Sequence, residues 1–204
     1  MSDTREHILT TAFRLFLQKN FKEVTMKEIV AETGLSKGAF YHYFTSKEQV
    51  FEEVLNFFLA DYIQHNFDSY SQNSLKEFFE DLIKAMERKF NSANELTGKR
   101  EVTFTSNHYF LIFDGMKMLP AYRQKLLAAT QEELKAWKKI VRIARKNGEI
   151  KTTGMTDEQI AKMFVYVNDG FGINKILDGT LVNFDKQKQE MLALWKGIYD
   201  LLKT

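Results

Sequence analysis

Residues 36–47 read SKGAFYHYFTSK and hold most of the chemistry that this chain offers. Tyr41, His42 and Tyr43 sit between Phe40 and Phe44, with Lys37 and Lys47 at either end. Hydroxyl, imidazole and ammonium groups gathered in so short a stretch are donors for an anion, above all a phosphate oxygen. Bond-making chemistry has much less to work with. Of the four His, at 7, 42, 65 and 108, none follows a Glu by three positions, so the Glu-x-x-His motif of di-iron bundles is missing. No HExxH, Walker loop, GxGxxG or GxSxG occurs. The acidic pairs Glu52-Glu53 and Glu132-Glu133 are adjacent in sequence, so each diverges around a helix and reads as solvated surface. The absence of Cys removes disulfides, thiolate metal sites and thiol nucleophiles together. Neither catalysis nor a cofactor or metal is expected.

Positioning the 36–47 groups falls to helices whose starts are written as caps. The pattern S/T-x-x-E/Q lets a hydroxyl accept from the third amide while the later side chain bonds back. It occurs as Thr25 to Glu28, Ser46 to Gln49, Ser74 to Glu77 and Thr156 to Gln159. Stops are read at Gly34, Gly98, Gly148 and Gly179, and Pro120 suits a first helical turn. Together these predict an all-α chain of about nine helices, near 4–20, 26–33, 36–43, 46–66, 74–92, 101–117, 120–147, 157–178 and 185–203. The first carries Ile8, Leu9, Ala12, Phe13, Leu15 and Phe16 as one apolar stripe.

Composition agrees with that reading. With 10 Gly and 1 Pro in 204 residues there is little material for tight turns. The longest apolar run, YFLIF at 109–113, is far short of the ~20 residues a bilayer helix needs. The start, MSDTREHIL, lacks the layout of a signal peptide, and the expected compartment is the cytoplasm. A net charge of +2 is too mild to signal nucleic acid by itself, so any basic surface must arise from local arrangement.

Residues 25–44 then form helix, short turn, helix. Thr25 caps the first and Ser36 the second, with Gly34 and Leu35 between them. Phe40 and Phe44, four apart, share one face and can pack on Ile29 and the first helix. Tyr41, His42 and Tyr43 are left pointing partly outward, and Lys37, Gly38 and Ala39 make a slim, exposed first turn. Such a helix fits a DNA major groove, which is about 12 Å wide. Lys47 lies in the first turn of the next helix, where its charge opposes the helix dipole and a nearby phosphate would account for it.

The stretch TMKEIVAETGLSKGAFYHYFTSKEQVF resembles the DNA-binding segment of the TetR family of bacterial one-component regulators. The family pattern is Thr, three residues, Ile-Ala, three residues, Gly-Val-Ser, then Gly, Tyr, an aromatic-Phe pair and a Lys. This chain departs from it at Val30, Thr33 and Leu35. The resemblance implies phosphate contacts from Thr25, Tyr41, His42 or Tyr43, and Lys47, with Ser36 opening the reading helix. It implies base-edge approach by Lys27, Lys37, Gly38 and Ala39. It also implies a DNA-binding domain over 1–46, a ligand-binding and dimerisation bundle over 47–204, and a small-molecule effector that rearranges the helix at 46–66.

The rest of the chain offers surfaces for both later roles. Met191, Trp195, Ile198 and Leu202 form a stripe in the last helix, beside a helix carrying Val167, Phe171 and Ile173. We expect homodimerisation through Phe171, Trp195, Ile198 and Leu202, with double-stranded operator DNA as the other macromolecular partner. Aromatic and Met residues crowd 74–147, which suits an apolar or aromatic ligand. The candidate lining is Phe79, Phe104, His108, Phe113, Trp137, Phe164 and Asn168. Two rivals are an all-helical protein-interaction module and a bundle enzyme without DNA binding. No membrane partner is expected.

Overall fold

Each sequence-read cap whose surroundings can be described marks the start of a helix. The structure is a computed structural model and describes residues 3–59, 65–97, 106–151, 154–177 and 184–204. Among them are nine α-helices: α1 (Asp3–Lys19), α2 (Met26–Thr33), α3 (Lys37–Tyr41), α4 (Lys47–Val54), α5 (Leu75–Thr97), α6 (Ser106–Met118), α7 (Pro120–Lys146), α8 (Asp157–Leu177) and α9 (Phe184–Leu202). The fold is all-α. One isolated antiparallel bridge, Ile150 with Lys203, is the sole β-type pairing among the described residues. None of the described helices is long and apolar enough to cross a membrane.

The hydroxyls of Thr25, Ser36, Ser46, Ser74 and Thr156 accept from the amides of Glu28, Ala39, Gln49, Glu77 and Gln159, at 3.0–3.2 Å. The reciprocal half of the capping box closes only at Thr156, whose amide donates to Gln159 Oε1 at 2.8 Å. Elsewhere the acidic or amide partner is taken by something else. Glu28 pairs with Lys19, and Gln49 Oε1 accepts from the amide of Thr45. Gly34 and Gly148 take positive φ, 67° and 73°, as helix-ending residues do. The expected stops at Gly98 and Gly179 and the helical start at 101–105 lie outside the described residues.

Three helices differ from expectation, one of them α5, which runs on to Thr97 past the expected end at 92. The α3 helix is five residues long. After Val54, α4 widens into a π-helical turn, Leu55–Leu59; residues 60–64 lie outside the described set, and His65 and Asn66 are not helical.

The chain forms two compact units, Met1–Ile63 with Ser92–Lys125, and Gln64–Asn91 with Leu126–Thr204. In the first, α1 is the central element and packs on α2, α4 and α6. Its stripe is fully used: Ile8, Leu9, Ala12 and Phe16 have no exposed surface. Phe16 meets Phe51 of α4 edge-on, with centroids 5.2 Å apart. Gly115 of α6 sits where the side chains of Leu55 and Tyr122 press against the helix. A Cβ there would lie 2.6 Å from Leu55 Cδ1 and 2.8 Å from two ring atoms of Tyr122.

In the second unit α7 and α8 run antiparallel. Arg145 pairs with Asp157 near their join, and farther along Trp137 stacks on Phe164 with centroids 4.7 Å apart. Trp195 of α9 meets Trp137 edge-on and donates its indole N–H to the Phe164 carbonyl at 3.0 Å. Glu149 caps α5 from far away in sequence, its carboxylate accepting from the amides of Leu75 and Lys76 at 2.9 and 3.2 Å.

The Gly115 junction makes a definite forecast. In an ordinary helix Gly→Ala gains roughly 0.5–1 kcal/mol. Here the added methyl meets the rigid ring of a buried tyrosine, so Gly115→Ala should lower unfolding free energy by about 1–3 kcal/mol in urea titrations. A gain in stability would mean that the junction yields.

Candidate nucleic-acid interface

A helix of five residues has to be held from outside. Phe40 and Phe44 do this: both are buried, with ring centroids 6.2 Å apart. The Arg5 guanidinium lies over Phe44 at 5.6 Å and pairs with Glu53 of α4 at 2.8 Å, so α4 holds in place the α1 side chain that covers this ring. On the other side His7 Nε2–H donates to the carbonyl of Thr33 at 3.0 Å, fixing the end of α2 against α1. The turn between α2 and α3 is thereby set by contacts at both ends.

The opposite side of α3 is open. Lys37, Gly38, Ala39 and His42 are exposed, Tyr41 is 45% exposed, and Tyr43 is half-buried. Thr25, Lys27 and Ser36 are exposed as well. The cap hydroxyls of Thr25 and Ser36 accept from amides, which leaves each O–H free to donate to an anion. Gly38 has negative φ, and a Cβ built there would meet nothing within 4 Å. Nothing inside the chain asks for glycine at that position.

Lys47 is different. Its ammonium donates to the carbonyls of Phe21 and Val24, at 2.9 and 2.8 Å, and lies 4.3 Å from the centre of the Phe21 ring. The unfavourable place of this Lys in the first turn of α4 thus has an internal explanation. It pins α4 to the segment between α1 and α2, and one N–H is left for any outside partner. Sequence reasoning missed this, because the acceptors are main-chain carbonyls more than 20 residues away.

In the second unit the expected ligand residues fall into separate places. Phe79, Trp137 and Phe164 are buried and pack on one another as core, and Asn168 is half-buried. Phe113 belongs to the first unit and is 43% exposed. Phe104 and the side chain of His108 lie outside the described residues. Of the expected self-association residues, Trp195 and Leu202 are covered by their own chain and form core beneath that surface, while Phe171 and Ile198 are half-buried. The apolar groups that α8 and α9 present outward are Tyr166, Ile173, Leu177, Leu194 and Leu201. Tyr166 and Leu194 flank an open depression of about 640 Å³ that Phe171 also lines.

The reading of Glu132-Glu133 as solvated surface needs correction. Adjacent residues diverge around a helix, and here one of them turns inward: Glu132 is exposed and Glu133 is half-buried. Burial of its carboxyl, and then the nearby Asp169, push Glu133 up to about 7.

Residues 8–54 match the sequence profile of a family described as bacterial regulatory proteins, tetR family. The HTH-type transcriptional regulator YerO of Bacillus subtilis (strain 168) is 37% identical over 82 residues, which are 40% of this chain and 25% of YerO. The HTH-type transcriptional repressor NemR of Escherichia coli (strain K12) is 42% identical over 62 residues, 30% of this chain and 31% of NemR. The chain thus spans about a quarter to a third of the length of these relatives. The solved structure of E. coli NemR in its reduced form gives a TM-score of 0.61 at 20% identity, over 96% of this chain and 97% of that one. The TetR-family regulator PfmR from Thermus thermophilus gives 0.67 at 19% identity, over 95% and 97%. At those identities the structural likeness speaks for the fold alone.

The Lys47 pin can be checked without any ligand. Lys47→Met keeps the aliphatic stem over Phe21 but strips two carbonyls of a charged donor, so unfolding free energy should fall by about 1–3 kcal/mol. Unchanged denaturation would show that the ammonium contributes nothing to the fold.

Proposed function

We propose that this chain, whose residues 8–54 match the tetR-family profile, is a TetR-family transcriptional regulator that binds palindromic operator DNA as a homodimer and is released by a small-molecule effector. Repression is the mode that suits this design, since an effector then frees the promoter. The observation that carries the proposal is the exposed edge of α3. Lys37, Gly38 and Ala39 face solvent while Phe40, on the same short helix, and Phe44, just past its end, are buried. A slim edge with rigid backing is what a helix needs to enter the major groove.

Within residues 1–46, Lys37 and Lys27 would approach base edges together with the backbone at Gly38 and Ala39. Thr25, Ser36, Tyr41, His42 and Tyr43 would donate to phosphates and fix register. Lys47 would add at most its remaining N–H. Residues 47–204 would serve effector binding and self-association, the latter through the outward apolar groups of α8 and α9 and the half-buried Phe171 and Ile198. An effector with an apolar or aromatic body suits the ring-rich second unit. A protein with this work belongs in the cytoplasm, with the DNA. A dimer of such heads reads half-sites whose centres lie about 34 Å apart or a multiple of it.

Selection of bound duplexes from a random pool should return a palindrome with that spacing; a pool without two-fold symmetry would remove the dimer from the proposal. Two substitutions probe α3 itself. Gly38→Ala should leave thermal stability unchanged or slightly raised, since the site is open, yet weaken operator binding at least tenfold by holding the backbone off the bases. Lys37→Ala should weaken operator binding by about 1–3 kcal/mol and relax base preference at one position of each half-site, as loss of a base-edge contact does. Normal binding by Gly38→Ala would mean that the backbone does not approach the DNA there.

A further inference from the structure

The seam between α7 and α8 is built as a ladder of opposite charges with one wrong rung. From the joined end, Arg145 and Arg142 of α7 pair with Asp157 of α8, at 3.2 and 3.5 Å, and Lys138 pairs with Glu158 at 2.8 Å. Next comes the Trp137–Phe164 stack. One turn farther along both helices, antiparallel register sets Glu133 of α7 beside Asp169 of α8. Base meets acid at the earlier rungs; here acid meets acid. Among the described residues neither carboxylate has a Lys or Arg at ion-pair distance.

Burial makes the mismatch more than a surface accident. Glu133 is half-buried, and Asp169 keeps an exposed edge while part of its carboxyl is desolvated, which raises its pKa. Trp137, one turn along α7 from Glu133, has no exposed surface, and its indole Nε1–H finds no acceptor at hydrogen-bond distance. That N–H is directed towards the Glu133 carboxyl, which it favours in the charged form without closing a bond to it. A second set of polar groups stands nearby. Tyr70 lies within electrostatic reach of Glu133 and of Arg88, and its hydroxyl bonds His65 Nδ1 at 2.7 Å.

We infer that Glu133 and Asp169 are the charge-recognising part of the effector site, and that the effector is an organic cation, an amine or quaternary ammonium with an apolar body. This rests on the reading of the second unit as the effector-binding part. A bare metal ion fits poorly, since the described residues include no group of three His, Asp or Glu that could ligate one. An organic cation needs no such shell. Its diffuse charge is met by two carboxylates, and its apolar body would lie along the α7–α8 seam, outside the buried Trp137–Phe164 stack. Binding removes the repulsion between the two acids, a gain that a neutral ligand of the same shape cannot make.

The test uses the full chain and a graded series of alkyl- and aryl-trimethylammonium ions, each beside its neutral isostere with carbon in place of nitrogen. Calorimetric titration should find at least one cation binding tenfold or more tightly than its isostere. Glu133→Gln and the more exposed Asp169→Asn should each lose about tenfold for the cation and little for the isostere. Because a cation displaces the proton that Glu133 holds near neutrality, affinity should rise between pH 6 and 8, with Asp169, Trp137, Tyr70 and Arg88 as the neighbouring groups that set the midpoint. Proton release, measured in two buffers of different ionisation heat, should vanish in Glu133→Gln. If isosteres bind as tightly as cations, the charge inference falls while the effector reading stands. If both variants bind cations like the wild type, it falls as well. If nothing in either series binds, the charge inference falls, while the effector reading is decided by a thermal-shift screen of other ligand classes and operator binding remains a separate measurement.

Discussion

Burial of two phenyl rings, one on a helix too short to stand alone and one just past its end, is the constraint from which the amino-terminal structure follows. A single turn has little stability in water, because nucleation fixes several dihedrals for one hydrogen bond. The turn at Lys37–Tyr41 exists because Phe40 and Phe44 are sequestered behind it. Their burial demands walls, and α1 and α4 supply them, clamped by Arg5 over one ring and by Arg5 with Glu53. His7 and Lys47 close the remaining sides by holding main-chain carbonyls. Side chains that look spare in the sequence are therefore occupied in keeping α3 in one orientation. What is left unoccupied is the edge carrying Lys37, Gly38 and Ala39. Stiff backing with a bare edge favours recognition, since little conformational freedom remains to be lost on binding.

Much of this was legible beforehand, for a physical reason: caps, left-handed glycines and i, i+4 aromatic pairs are local. Thr25, Ser36, Ser46, Ser74 and Thr156 act within three residues of themselves, and all but Ser36 were readable from a four-letter pattern. The split of the 40–44 aromatics into buried and outward sets followed from helical geometry alone. Apart from the short α3 and the π-helical turn after α4, the failures are long-range. Lys47 and Glu149 bind backbone atoms that no periodicity points to. Trp195 seemed part of an outward stripe, yet its indole is fully buried and spent on the Phe164 carbonyl. A wide apolar helix announces that it is covered on two sides; it does not announce by what.

Glu133 shows the same limit in its sharpest form. Two adjacent acids in a helix look equivalent on paper, and about 100° of helical rotation separates a solvated carboxylate from a desolvated one. The consequence is chemical. An ionised carboxylate without a partner in a low-dielectric site is costly, so the group holds its proton until neutral pH instead. With the unfolded-state pKa near the ordinary glutamate value, the folded state binds more protons than the unfolded one between that value and about pH 7. Stability from this group therefore falls as pH rises through that window.

That sign bears on what a ligand can accomplish there. A molecule shifts a conformational equilibrium only by the difference in its affinity for the two states. A neutral ligand laid against the α7–α8 seam gains apolar contact, which any state keeping the rings packed can give it. A cation gains in addition the relief of two acids held side by side, and that relief is available only in states where the seam is closed enough to hold them there. The mismatched rung therefore ties recognition of charge to a particular packing of two helices, which none of the paired rungs at Lys138, Arg142 or Arg145 can do.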